Sequence, residues 1–272
     1  MCRLIRLKLS NRIAQETGTK PSTTKHMNRE INLKGKVAII GGGSGGIGSK
    51  IAEELHSRGV TVVLAARNKD KLQQLCDKLG GERVSVMSID LTEMGEVEYL
   101  FDETLKKYGR IDCSIASAGT WHLLNLDSDL EDAEKQSKED YGPLVQSTFN
   151  MGVVAQKYFT RTDEGLIINI SSHAAKKPQL LGNLYYGAAK AAGTHFMLSL
   201  AAELRAVKSG VRVCDIQPEI VNTPENAKLL NTDEKKAAAI QPEEIAVWIA
   251  ENFSNADIVL EKPFKTRDGF VL

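Results

Sequence analysis

The feature that most restricts the fold is a cluster of glycines set between a short apolar strand and a helix. Lys36-Val-Ala-Ile-Ile40 reads as a buried strand, Gly41-Gly-Gly-Ser-Gly-Gly-Ile-Gly48 follows at once, and a helical pattern runs on to about Arg58. Six glycines in eight positions carry an entropic cost that a plain connection has no reason to bear. In strand–turn–helix context they permit a tight turn and let backbone N–H groups approach a pyrophosphate at the positive end of the helix. The pattern G-x-G-x-x-G fits twice, at Gly41/Gly43/Gly46 and at Gly43/Gly45/Gly48. Two rival readings of the same residues fail. G-x-S-x-G around Ser44 would be a hydrolase elbow, but on a first strand nothing upstream can supply the oxyanion donors. A P-loop is excluded because no Gly-Lys-Ser/Thr closes the cluster.

Downstream, strands and helices alternate. Strands are predicted at Val60–Ala65, Val84–Ile89, Ile111–Ala116, Leu166–Ile170 and Val211–Ile216, with a last one at Ile258–Leu260. Helices are predicted at Lys69–Leu79, Thr92–Tyr108, from about Pro143, at Tyr185–Val207 and from Gln241 through Phe253. The strands are apolar throughout instead of alternating, which is the mark of a parallel sheet covered on both faces. The fold class is therefore α/β, a doubly wound parallel sheet (Rossmann fold) in a single domain. The segment Asp127–Asp140 holds seven acids against two lysines and reads as a solvated helix or loop.

Composition narrows the class further. With 35 basic and 35 acidic residues the net charge is zero, and no apolar run approaches a membrane span, so neither a nucleic-acid nor a membrane partner is expected. The balance is uneven along the chain. Arg3, Arg6, Lys8, Arg12, Lys20 and Lys25 face Glu16 alone, giving the first 25 residues +5 and the rest −5. Residues 1–30 are read as a basic, disordered extension ahead of a domain spanning 31–272, in a cytoplasmic protein. A mitochondrial transit peptide and an upstream start with Met27 as the functional one are the alternatives. Cys2, Cys76, Cys113 and Cys214 lie far apart, without metal-ligand spacing, and read as reduced thiols; no metal site is expected.

Three further places carry chemistry. The second strand runs into Arg67, where an acid would bind a ribose 2′-hydroxyl; an arginine there suits a 2′-phosphate and favours NADP(H) over NAD(H). Asp90, after the third strand, is placed either to meet an adenine amino group or to cap the next helix. Tyr186 and Lys190 stand four apart on one helix face. There an ammonium would lower the phenol's pKa, as a general acid/base for an alcohol or ketone requires. Ser171-Ser172 ends the fifth strand at the carboxyl edge of the sheet, where ligands bind.

Together these residues resemble the short-chain dehydrogenase/reductase family, as a divergent member, over about Leu33 to Leu260. The family pattern T-G-x-x-x-G-x-G is met by Gly42, Gly46 and Gly48 with Gly41 in place of threonine; Y-x-x-x-K falls on Tyr186 and Lys190, and the serine before it on Ser172. The resemblance implies Tyr186 as proton donor or acceptor, Lys190 as the ribose-binding group that tunes it, and Ser172 as the group orienting the carbonyl. It implies a cofactor site of Gly42, Ser44, Gly46, Ile47, Gly48, Arg67, Asp90, Leu91, Ala118 and Gly119, with Tyr186, Lys190, Pro218, Ile220 and Thr223. Three departures stand out: Ala116-Ser-Ala-Gly119 for N-N-A-G, Pro218-Glu219 for P-G, and Leu144 where a tetrad asparagine belongs, with Asn150 nearby but out of register.

The expected activity is NADP(H)-dependent hydride transfer between the nicotinamide and a carbonyl or secondary alcohol substrate, in a homodimer or homotetramer by resemblance. The alternative is a dinucleotide-binding regulator or scaffold with little turnover, motivated by the Leu144, Ala116 and Ser117 departures. Trp121, His122, His173 and Tyr185 are candidate pocket walls.

Overall fold

The computed structural model describes residues 33–119, 128–177 and 184–267. The N-terminal extension, Trp121 and His122 lie outside these residues, and the described ones all fall in the unit Ile31–Leu272. Seven strands form one sheet: β1 (Val37–Gly41), β2 (Thr61–Ala66), β3 (Val84–Ser88), β4 (Cys113–Ala116), β5 (Gly165–Ile170), β6 (Val211–Pro218) and β7 (Glu261–Phe264). Their order is β3-β2-β1-β4-β5-β6-β7 and every pair is parallel. The order reverses between β1 and β4, which opens a crevice at their carboxyl ends.

The helices divide between the two faces because successive strand residues point in opposite directions. Ala38, Ile40, Val62 and Leu64 pack with Ile51 and Leu55 of α1 (Gly46–Ser57), Leu72 and Leu75 of α2 (Lys69–Lys78), and Ile245 and Ile249 of α8 (Pro242–Asn252). Val37, Ile39, Val63 and Ala65 pack on the other face. Their partners are Leu100 and Phe101 of α3 (Met94–Tyr108), Met151 and Phe159 of α5 (Gly142–Thr162), and Met197 and Leu204 of α6 (Leu184–Ala206). Pro143 sits in the first turn of α5, where a missing N–H costs nothing.

Some expectations are corrected. The last strand is Glu261–Phe264, not Ile258–Leu260: as the sheet's edge, bonded on one side only, it has no need of an apolar run and accepts Lys262 and Pro263. The helix predicted from Thr92 starts at Met94, with Glu93 at its cap position. The acidic segment forms α4 (Leu130–Gln136) and then a π-helical turn, Ser137–Tyr141, in which Asp140 is buried instead of solvated. A short helix, α7 (Asp233–Ala238), was not anticipated. Cys113 and Cys214 are buried, uncrosslinked thiols; burial pushes Cys214 up to about 12.

Asp112, just before β4, joins the strand bases. It accepts from Lys36 Nζ at 2.9 Å, Arg110 Nε at 2.8 Å and the Val37 amide at 2.9 Å. Burial would raise its carboxyl, but these donors outweigh burial and hold it below the ordinary value. Asp112→Asn is expected to cost about 2 kcal/mol at neutral pH. Because the folded pKa is depressed, that advantage is present above the unfolded pKa and is lost as pH falls through the folded one. Urea midpoints of the two proteins should therefore differ at pH 7 and converge in acid.

Candidate functional site

At the carboxyl end of β1 the glycines are required chiefly by the protein's own backbone. Gly42 has φ +77°, and a Cβ there would lie 2.4 Å from the Ala118 nitrogen. A Cβ on Gly48 would lie 2.3 Å from the Gly42 carbonyl oxygen, and one on Gly46 2.6 Å from Thr223 Cβ and 2.8 Å from Glu225 Oε2. The turn is held against the loop after β4 by Ser117, whose amide and hydroxyl both donate to the Gly41 carbonyl, at 2.9 and 2.7 Å. The hydroxyl bond is what the Ser117 departure from N-N-A-G adds.

Beside this turn lies a cleft of about 320 Å³ at the switch point of the sheet. Of the residues assigned to a cofactor, Gly42, Ser44, Arg67, Asp90, Leu91, Ala118 and Gly119 line it. Arg67 shares its end with Asn68 and Lys71; Asn68 caps α2 by accepting from the Lys71 amide at 2.9 Å. Asp90 accepts from both the amide and the hydroxyl of Thr92, at 2.9 and 2.8 Å, in a local turn and not as a helix cap. The Thr92 amide is the larger of these two influences holding its carboxyl below the ordinary value. Ile47 is not a wall of the cleft: it packs against the core. Gly46, Gly48, Pro218, Ile220 and Thr223 also stand outside the lining, although Thr223 presses on Gly46.

The second half of the site is carried by β5 and α6. Ser172, the residue before a 3₁₀ turn at His173–Ala175, is buried and accepts from the Ala174 amide at 3.2 Å. Tyr186 and Lys190 are one turn apart on α6. The Lys190 ammonium donates to the Ile170 carbonyl at 2.8 Å and lies 5.7 Å from the centre of the Tyr186 ring. Burial lowers the Lys190 pKa to about 8, against the pull of Asp215. The expectation that the ammonium depresses the tyrosine is overturned here: burial raises the phenol, and the one influence that draws it down is a hydrogen bond with Ser172. Tyr186 therefore stays protonated through the neutral range. The two halves meet at Gly119, where a Cβ would lie 3.5 Å from Lys190 Nζ and 3.1 Å from Leu144 Cδ2.

Leu144 is buried on α5 and lines the cleft, so a hydrocarbon stands where the tetrad amide would. Asn150 does not replace it: its Nδ2 donates to the carbonyls of Leu91 and Thr92, at 3.0 and 2.9 Å, and its Oδ1 accepts from Gln146 at 2.7 Å. Glu219, in place of the P-G glycine, accepts from the Thr266 amide and hydroxyl at 2.8 and 2.7 Å and so ties down the segment after β7. Sequence reasoning missed Lys71, Ser147 and Glu225 as cleft residues; Lys71, four positions beyond Arg67 at the start of a helix, was the one its spacing could have flagged. Among the described residues there is no group of metal-ligating side chains, and no helix is long and apolar enough to cross a membrane.

A parallel sheet wound on both sides, with a glycine turn and a crevice at its switch point, defines a Rossmann-type α/β protein. The family model for short chain dehydrogenase matches residues 36–234. An oxidoreductase of Staphylococcus aureus (strain MRSA252), itself uncharacterised, is 34% identical over 214 residues, 79% of this chain and 89% of that one. One from Staphylococcus saprophyticus is 32% identical over 221 residues, 79% and 90% of the two chains. Among solved structures, 3-ketoacyl-(acyl-carrier-protein) reductase from Brucella melitensis, complexed with NADH, superposes with a TM-score of 0.75 at 22% identity, over 88% of this chain and all of that one. A short chain dehydrogenase/reductase family protein gives 0.71 at 24%, over 87% and 97%. The chain belongs to the short-chain dehydrogenase/reductase family and is an oxidoreductase of that family, whose members use NAD(P)(H).

Proposed function

We propose that this protein reduces a carbonyl compound, or oxidises the matching secondary alcohol, with NADP(H) preferred over NAD(H). The observation that carries the reading is Tyr186 one turn from Lys190, whose ammonium lies 5.7 Å from its ring centre, beside a cleft lined by Arg67 and Lys71. The cleft fits a dinucleotide. Glycines at 42, 46 and 48 leave no side chain in the turn, Arg67 and Lys71 offer positive charge for a 2′-phosphate, and Gly119 opens towards Lys190. When bound, the dinucleotide supplies or receives the hydride.

The protein's own residues do the rest. Ser172 holds the substrate oxygen and Tyr186 delivers a proton to it, which a phenol raised by burial is ready to do at neutral pH. Lys190, positive below about pH 8, holds the ribose, and Ser172 favours the negative charge left on Tyr186 as its proton leaves. NADPH consumption across a panel of ketones and aldehydes tests this; tight NADPH binding without turnover on any of them would favour the scaffold alternative. That alternative has Leu144 in its support.

Cofactor choice is tested separately. Arg67→Asp combined with Lys71→Ala is expected to lower kcat/KM for NADPH by roughly 100-fold, as loss of two charge-assisted phosphate contacts would, with NADH little affected. An unchanged NADPH/NADH ratio would remove both residues from the site. A homodimer or homotetramer in the cytoplasm remains part of the proposal, on family resemblance.

A further inference from the structure

A buried carboxylate behind the site has no part in the proposal above. Asp215, in the middle of β6, is fully buried and accepts three hydrogen bonds: from Asn169 Nδ2 at 2.7 Å, Thr194 Oγ1 at 2.8 Å and Gln217 Nε2 at 2.8 Å. Each bond reaches a different part of the site. Asn169 lies on β5, three residues before Ser172. Thr194 is on α6, one turn after Lys190. Gln217 precedes Pro218, the last residue of β6. The network continues: Thr194, whose own hydrogen goes to Asp215, accepts from the Ser171 hydroxyl at 2.7 Å.

We propose that Asp215 is a positioning residue for the reaction, locking α6 to the ends of β5 and β6 and supplying the buried negative charge that keeps the Lys190 side chain an ammonium. This rests on the role given to Lys190 above. Three donors converging on Asp215 fit a carboxylate and not an acid. The Asn169 amide is oriented by Thr148, which donates to its oxygen at 3.4 Å, and the Gln217 amide by a second acceptor, Glu261 Oε1, at 2.9 Å. Burial raises the Asp215 carboxyl above its ordinary value, and the three donors and the Lys190 charge offset only part of that rise.

The groups facing this pair are few. On α6 there is Tyr186. From β5 and the residue after it come Asn169 and Ser171, and from α5 Thr148 and Leu144, all uncharged; β6 itself adds the buried Cys214 thiol, raised by burial and by the Asp215 charge. From β7 comes Glu261, one amide away through Gln217 and neutralised by Lys176 at 2.8 Å. Asp215 is thus the one buried charge opposing the desolvation of Lys190 among the described residues, and no amide from α5 assists it, since Leu144 stands at that place.

The test follows the lysine itself. In protein carrying ¹³Cε-labelled lysine, the Lys190 resonance, assigned by its loss in Lys190→Arg, is titrated in the wild type, Asp215→Asn and Thr194→Val. The midpoint is expected to fall by roughly one pH unit in Asp215→Asn, and the alkaline limb of kcat/KM to move with it. Thr194→Val removes one bond and keeps the charge, so its midpoint should stay. An unmoved midpoint in Asp215→Asn overturns the proposal, and so does an equal shift in both variants, which would assign the effect to packing. Should Asp215→Asn fail to fold, the wild-type Asp215 ¹³Cγ resonance decides: a carboxylate that registers the Lys190 titration supports the proposal, a carboxylic acid at pH 7 refutes it. A protein that turns over no carbonyl would sink the functional reading and leave this titration valid; a failed titration in an active enzyme would sink only Asp215.

Discussion

Tyr186→Phe is expected to lower carbonyl reduction by on the order of 10³-fold while leaving the affinity for NADPH close to that of the wild type. The change removes one oxygen and keeps the ring, so α6 loses nothing of its packing. Ser172 keeps the bond from the Ala174 amide, and Tyr186 is not a wall of the cleft beside the glycine turn. What disappears is the hydroxyl whose pKa burial has raised, the group assigned to proton delivery. Fluorescence titration with NADPH and steady-state turnover on the same preparation separate the two effects. Wild-type turnover in this variant would remove Tyr186 from the reaction.

The second large effect is expected at Gly42. Its left-handed backbone alone disfavours any side chain by about 1–2 kcal/mol, and a Cβ would meet the Ala118 nitrogen at 2.4 Å, a clash with backbone that no side-chain rotation can relieve. Gly42→Ala is therefore expected to cost more than about 3 kcal/mol of stability and to abolish dinucleotide binding in whatever folds, because the turn and the loop after β4 must part. Gly109 is the control: it has φ +74° but nothing within 4 Å of its Cβ position. Gly109→Ala should lose only about 1–2 kcal/mol and bind normally. Urea unfolding and NADPH titration of both variants check the pair, and equal losses would contradict the clash.

The parallel sheet and the two halves of the site were legible because they depend on short-range patterns. Wholly apolar strands, a glycine cluster at a helix start, and Tyr and Lys at helical spacing all survive without knowledge of the fold. What was not legible depends on neighbours distant in the chain. β7 hides among Glu261, Lys262 and Pro263 because an edge strand needs little hydrophobic pattern. The phenol of Tyr186 looked set to be lowered by Lys190, since spacing shows the ammonium but not the burial that raises the phenol. Lys71 reads as an ordinary first-turn lysine until α2 is seen to bring it beside Arg67. Asp215 looks misplaced in an apolar strand, and only the arrival of Asn169 from β5 and Thr194 from α6, beside Gln217 of its own strand, accounts for it. Leu144, where the resemblance implies a tetrad asparagine, lines the cleft, and Asn150 is engaged by Leu91, Thr92 and Gln146 instead.

The edge position of β7 also sets a schedule for synthesis. A chain translated only as far as Asp257 already contains Ser172, Tyr186 and Lys190. It still lacks the Leu260 carbonyl that receives the Asp215 amide and the Glu261 carboxylate that receives Gln217. At about 5–20 residues per second, the interval between making Lys190 and making Phe264 is roughly ten seconds. For the later part of that interval, from the making of Pro218 to that of Phe264, the β6 edge is an unpaired template open to a neighbouring nascent chain. The chemistry is thus encoded well before the wall that supports it, and competence arrives with one of the last and most polar strands to leave the ribosome.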